Sequence, residues 1–286
     1  MIPGAFAQHR PPDLASTFGV LSEPGDEARV IAGGHSLIPM MKLRMAQIDH
    51  LVDLQDIAEL RGITVSGGLV TIGAMLTQHD LIASDALAAA APILREAALQ
   101  IADPQVRHVG TIGGNVANGD PGSDMPGPMQ CLDAAFALVG PGGTGNVRAR
   151  EFYRSAYETA RKDDEILTRI TFAARGGGQA YEKQKRKIGD HATAAAVIVT
   201  KQNGRVATAS IAMTNLRDTP AFAEAAGDAL VGSSCDPAAV RAAVRAAVDA
   251  MQKVIDPGAD NRGPVAFRRH AAAVLTRAIL RAWVRA

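Results

Sequence analysis

Cysteine is nearly absent from this chain: only Cys131 and Cys235 occur in 286 residues. An iron–sulfur cluster held by one chain normally takes four cysteine ligands, so none is expected here. A dense disulfide framework is excluded for the same reason. Aromatic residues make up only 4% of the sequence, too few for a platform on which nucleic-acid bases could stack. Charge nearly cancels at +1, which removes the broad basic surface that a nucleic-acid partner requires. The histidines (His9, His35, His50, His79, His108, His191 and His270) are scattered without metal-ligand spacing, so no metal site is expected. No apolar run reaches the length of a signal segment or a membrane span, and a soluble cytoplasmic protein is the expectation. Neither a Rossmann glycine fingerprint nor a P-loop is present.

What is there falls into three sections. In the first, to about residue 60, Arg29-Val30-Ile31-Ala32 reads as a short buried strand ending in Gly33-Gly34. An apolar segment from Leu37 to Met45 and a second strand at Leu51-Val52-Asp53-Leu54 complete a small α/β unit. The second section, to about residue 175, has a strand at Leu69–Gly73 and a helix start at Thr77, with Asp80 placed for a capping box. Residues 85–101 are helical in pattern, with Pro92 near a helix start. Val109–Val116 looks strand-like, and Met125–Val139 reads as a helix running into a strand. Arg175-Gly176-Gly177-Gly178 is the best linker. Beyond it lie a basic block at 183–187, two strands (194–200 and 206–214) joined at Gln202-Asn203-Gly204, a helix opening at Asp236-Pro237, and a closing amphipathic helix over 264–285. The arginines of that last helix (Arg268, Arg269, Arg277, Arg281, Arg285) read first as a solvated basic face. Cys131 reads as a buried core thiol.

Two loops carry the chemistry. In Ala32-Gly33-Gly34-His35-Ser36, consecutive glycines let the backbone turn with positive φ and present successive N–H groups, a concave site for a pyrophosphate. Taken alone, such a loop is an ordinary strand exit. Thr111-Ile112-Gly113-Gly114-Asn115 repeats the composition, and Asp124 follows after a Pro-Gly turn, where a carboxylate can accept from sugar-like hydroxyls. Two hydroxyl-bearing Gly-Gly loops are more informative than one. No side chain stands out as a nucleophile or an acid–base pair, so no catalytic residue is assigned.

The segment Ala-Gly-Gly-His-Ser-Leu-Ile-Pro-Met-Met-Lys-Leu-Arg (32–44) resembles the first flavin motif of the molybdenum hydroxylase flavoprotein subunits. Val-Gly-Thr-Ile-Gly-Gly-Asn-Val-Ala-Asn-Gly-Asp-Pro (109–121) resembles their second. The opening Met1-Ile2-Pro3-Gly4 and the stretch Tyr181–Asp190 are similar to the carbon monoxide dehydrogenase branch, and the likeness spans essentially the whole chain. It implies an α+β fold: a two-subdomain FAD-binding domain of the PCMH type at 1–177, then a smaller domain of antiparallel strands and helices at 178–286. It implies FAD as cofactor, with Ala32, Gly33, Gly34, His35, Ser36, Leu37, Thr111, Ile112, Gly113, Gly114 and Asn115 around the pyrophosphate and ribityl chain. Asp124 would meet ribityl hydroxyls. Ile101 and Leu167 would lie near the isoalloxazine. A loop at 183–191, Lys183 included, would approach the ring and set a positive field beside it. Relatives usually carry an aromatic residue at the position of His191, an Asn at that of Ser123 and an Ala at that of Gly127.

The same resemblance implies an electron-relay subunit. Its partners would be a large molybdenum-cofactor subunit and a small iron–sulfur subunit, as a dimer of heterotrimers, with a quinone or other acceptor taking the electrons. The complex would lie in the cytoplasm or at the inner face of the cell membrane. The alternatives are a flavoprotein subunit of a xanthine, aldehyde or aromatic hydroxylase, and a flavin-free scaffold or nucleotide-binding module.

Overall fold

A computed structural model of the chain describes residues 2–22, 28–185, 190, 193–234, 236–259, 264–270 and 273–286. The first section is a three-stranded parallel sheet with His50–Asp53 at its centre, flanked by Ala7–His9 and Ala28–Ile31. The helix Leu14–Ser22 makes the crossover between the two outer strands, as parallel pairing requires. Leu51 and Val52 are buried in the central strand.

The second section is a five-stranded antiparallel sheet in the order Ile63–Ser66, Leu69–Gly73, Ile166–Ala173, Ala135–Gly140, Gly143–Arg148. Six short helices enter the chain between its second and third strands in sequence, and the apolar residues of all but Pro104–Val109 share one core with the sheet. Each helix has a local reason to begin where it does. Thr77 and Asp80 form the expected capping box, Ser84 caps Asp85–Ala90, and Pro92 occupies the first turn of Pro92–Leu99. Asp103 begins the next helix. Its carboxylate accepts from the Val106 N–H and opens Pro104–Val109.

The strand expected over Val109–Val116 is absent. Ile112–Ala117 is a helix capped by Thr111, whose Oγ1 accepts from the Gly114 N–H at 3.1 Å. Two glycines in six residues hide its periodicity, and the local cap outweighs their low helix propensity. Gly113 and Gly114 therefore lie in the first turn of a helix rather than in a turn after a strand.

The third section is a four-stranded sheet in the order Gly178–Gln184, Thr193–Gln202, Arg205–Thr214, Ala221–Phe222. The alternation along Thr193–Gln202 places Ala196 and Ile198 in the core of the second section. Ala195, Val197 and Val199 face a separate core under Pro237–Gln252 and Ala273–Arg285. A strand buried on both faces reads as an unbroken apolar run, which is what Ala194–Val199 is. Its hairpin turns on Asn203 and Gly204, both at positive φ, matching the predicted turn.

The basic face of the closing helix is not simply solvated. Arg281 and Arg285 pair with Glu96 of the helix Pro92–Leu99, and Arg281 and Arg277 pair with Glu182. Arg268 is buried and donates to the Asn215 carbonyl at 3.1 Å. Arg269's side chain lies outside the described residues.

Cys131 is fully buried, and burial pushes its thiol up to about 12. Because the thiolate is the reactive form, native protein is expected to leave Cys131 unmodified by iodoacetamide near pH 8, with labelling after denaturation. Labelling at equal rates in both states, read by peptide mass, would contradict this burial. Tyr153 and Tyr181 are likewise held neutral, their phenols raised chiefly by burial. In the unfolded chain these acids release protons from about pH 8.5 to 10, while the fold retains them. The stability they supply is complete below that range and declines as pH rises through it. A melting temperature that stays flat from pH 8 to 11 would contradict this.

Candidate functional site

A cavity of about 490 Å³ runs between the first two sections and reaches the first strand of the third, within the size range of small-molecule sites. Of the residues singled out from sequence, Ala32, Gly33, Gly34, His35, Ser36, Leu37, Ile101, Thr111, Gly113, Gly114, Asn115, Asp124, Leu167 and Lys183 all line it. Ile112 does not. Its side chain is fully buried in the core and its N–H donates to the Leu76 carbonyl at 2.9 Å. His191 lies outside the described residues.

The two glycine loops do different work. In the first, the N–H groups of Gly33, Gly34, His35, Ser36 and Leu37 donate to no acceptor among the described residues. Such a run of uncommitted donors on a cavity wall is an anion site. In the second, the donors are spent internally: Gly113 on Ala74 O at 2.8 Å, Gly114 on Thr111 Oγ1 and Asn115 on Thr111 O, both at 3.1 Å. The expectation that both loops offer backbone donors therefore holds only for the first.

The glycines also differ from expectation. Positive φ occurs at Gly34 (73°) and not at Gly33, Gly113 or Gly114. Gly33 is needed for closeness: a Cβ there would sit 2.6 Å from the Val109 carbonyl oxygen and 2.7 Å from Gly110 Cα. Gly113 is pressed against Ala74 in the same way, at 2.6 Å. Gly33 packs the first loop on the residues just before Thr111, and Gly113 packs the second segment on Ala74.

Carboxylates outnumber cations in the lining: Asp120, Asp124, Asp163, Glu165 and Asp190 against Arg29, Arg161 and Lys183. Anion recognition therefore rests on the first loop's donors rather than on net charge. Arg161 is drawn below the usual guanidinium range by burial, and its Nη1 donates to the Glu165 carbonyl at 2.9 Å.

Lys183 does not sit on a solvated loop. It lies in the strand Gly178–Gln184 with its side chain 1% exposed, and its Nζ is 2.9 Å from each Asp124 carboxylate oxygen. Tyr181, two residues earlier on the same face, donates its hydroxyl to Asp124 Oδ1. Burial, the Asp124 charge and this hydrogen bond all raise the phenol, so it stays a donor. Asp124 thus anchors the third section to the cavity. A carboxylate has about four acceptor positions, which leaves room for a ligand hydroxyl.

Sequence reading missed Arg29, Gln78 and Arg161. None belongs to a motif, and only the folding of separate segments brings them to the cavity.

The cavity and its loops have close counterparts. Residues 4–173 match the family described as "FAD binding domain in molybdopterin dehydrogenase", and residues 179–283 match "CO dehydrogenase flavoprotein C-terminal domain". The chain belongs to the FAD-binding subunits of the molybdopterin dehydrogenases. In this family of flavoproteins, it is 53% identical to the carbon monoxide dehydrogenase medium chain of Afipia carboxidovorans, over 100% of this chain and 99% of that one. A crystal structure of the Cu,Mo-CO dehydrogenase in its cyanide-inactivated form superposes with a TM-score of 0.95 at 52% identity, covering both chains fully. Quinoline 2-oxidoreductase from Pseudomonas putida 86 shares the fold at a TM-score of 0.93 but only 31% identity, over 99% of each chain. The α+β fold and FAD as cofactor follow from membership. The five uncommitted donors on the cavity wall fit the pyrophosphate of that cofactor. Among the described residues no helix is long and apolar enough to cross a membrane, and no group of three His, Cys, Asp or Glu could hold a metal.

Proposed function

We propose that this chain is the electron-transferring medium subunit of an aerobic carbon monoxide dehydrogenase complex. The observation that carries this reading is 53% identity across the whole length of a carbon monoxide dehydrogenase medium chain, against 31% for the quinoline enzyme of the same fold. The large partner carries the molybdenum cofactor and oxidises carbon monoxide with water to carbon dioxide. The small partner carries the iron–sulfur clusters, for which two cysteines here would not suffice. The complex is a dimer of heterotrimers that delivers electrons to a quinone or other acceptor, in the cytoplasm or at the inner membrane face. The domain division falls at 177/178, between the sheets that meet at the cavity.

Bound FAD supplies the change from one-electron to two-electron chemistry. The residues of this chain bind, orient and enclose it. The donors of Gly33–Leu37 hold the pyrophosphate. Thr111 and Asn115 complete the wall opposite, and Asp124 takes ribityl hydroxyls. Ile101 and Leu167, both buried, exclude water from the ring, and Lys183 keeps a positive charge close to it.

The test is anaerobic addition of carbon monoxide to the purified native complex. Bleaching of the flavin absorption is the expected result. Bleaching by a purine, an aldehyde or an N-heterocycle and not by carbon monoxide would move the assignment to a related hydroxylase.

A further inference from the structure

Gln78 is 2% exposed, lines the cavity, and has a side-chain oxygen with no hydrogen-bond partner. Its amide nitrogen has no acceptor among the described residues either. Only its backbone is engaged, with the N–H donating to Gly110 O at 2.9 Å. A buried amide oxygen without a partner is costly, and native proteins rarely leave one so. Thr77 already supplies the cap of this helix and Leu81 its core contact, so helix formation does not explain glutamine at this position. A methionine would fill the same volume without the penalty.

We propose that Gln78 is a ligand-positioning residue whose amide hydrogen-bonds the flavin half of the bound FAD. The inference rests on the FAD reading above. An amide offers one acceptor and one donor side, and its partner must offer both in turn. Pyrophosphate oxygens only accept, whereas the ribityl hydroxyls and the pyrimidine edge of the flavin do both. The helix Gln78–Ala83 packs on Pro104–Val109, whose Val106 lines the cavity together with Ile101 and Ala102. Gln78 therefore belongs to the wall where Ile101 was expected to meet the isoalloxazine. The uncommitted donors of the first loop serve the phosphates.

The experiment titrates FAD into deflavinated complex carrying the wild-type chain, Gln78→Met or Gln78→Leu. It also melts the ligand-free full-length chain of each. FAD affinity is expected to fall about tenfold in both variants. The ligand-free melting temperature should hold or rise, because an unsatisfied buried amide has been removed. ADP, which shares the phosphates and adenosine, should bind all three with the same affinity. A lowered ligand-free melting temperature with unchanged FAD affinity would make Gln78 structural and overturn the inference. So would an equal loss of ADP affinity, which would put the contact on the adenosine half. Failure of the wild-type complex to take up FAD would instead refute the FAD reading itself.

Discussion

Gly33→Val is expected to strip FAD from the chain while leaving the fold standing. The new side chain would begin 2.6 Å from the Val109 carbonyl oxygen and 2.7 Å from Gly110 Cα. Both obstacles are backbone and cannot rotate away, so the first loop must retreat from the second. Overpacking of this kind costs about 1–3 kcal/mol of stability, roughly 2–10 °C in a chain of this size. The effect on binding is larger, because the loop that moves carries all five uncommitted donors. A loss of at least about a hundredfold in FAD affinity, about 2.7 kcal/mol, is expected. Gly114→Ala is the milder comparison. Its Cβ meets the Thr111 hydroxyl at 2.9 Å, so the damage is about that of a weakened helix cap, about 1 kcal/mol. Flavin content after gel filtration ranks the two. Equal FAD retention in Gly33→Val and wild type would mean that the loops do not meet as described.

Asp124→Leu is expected to cost more stability than any other single change near the cavity. It leaves the Lys183 ammonium, 1% exposed, without its counterion at 2.9 Å, and removes the acceptor of the Tyr181 hydroxyl. Breaking a buried pair from one side typically costs about 3–5 kcal/mol. The double variant Asp124→Leu/Lys183→Met removes both charges and should recover most of that loss, though it should not recover FAD if Asp124 holds ribityl hydroxyls. Denaturant midpoints and flavin content, measured on both variants, separate the structural from the binding contribution. A double variant as unstable as the single one would show that the pair is not what joins the third section to the cavity.

The outline of the fold was legible in the sequence wherever periodicity or capping chemistry was strong. The strand Leu69–Gly73, the Thr77 capping box, the Asn203-Gly204 hairpin and the Asp236 cap all stand where they were expected. Ile112–Ala117 was misread because its glycines mimic a punctuated strand, and the Thr111 cap that decides it as a helix is a single hydroxyl. At the cavity, fourteen of the fifteen residues expected from sequence line one space, and Ile112 is the exception. Composition could not show that the second loop's donors are spent, since two of the acceptors, Ala74 and Leu76, lie on another segment and the other, Thr111, is engaged only once the helix forms. Nor could it show that Lys183 faces inward. Lys183 opens a run of five basic or amide residues that carries no sign of burial, and only the pairing of Gly178–Gln184 with Thr193–Gln202 turns Lys183 inward.

The central claim is that the cavity walled by the two loops holds one FAD. The most direct measurement is the flavin-to-chain ratio of the native complex after gel filtration, in wild type and in Gly33→Val. One FAD per copy of this chain is expected in the wild type and almost none in the variant, at matched far-ultraviolet circular dichroism. Wild-type complex without flavin absorption, or a Gly33→Val complex with a full complement of FAD, would contradict it.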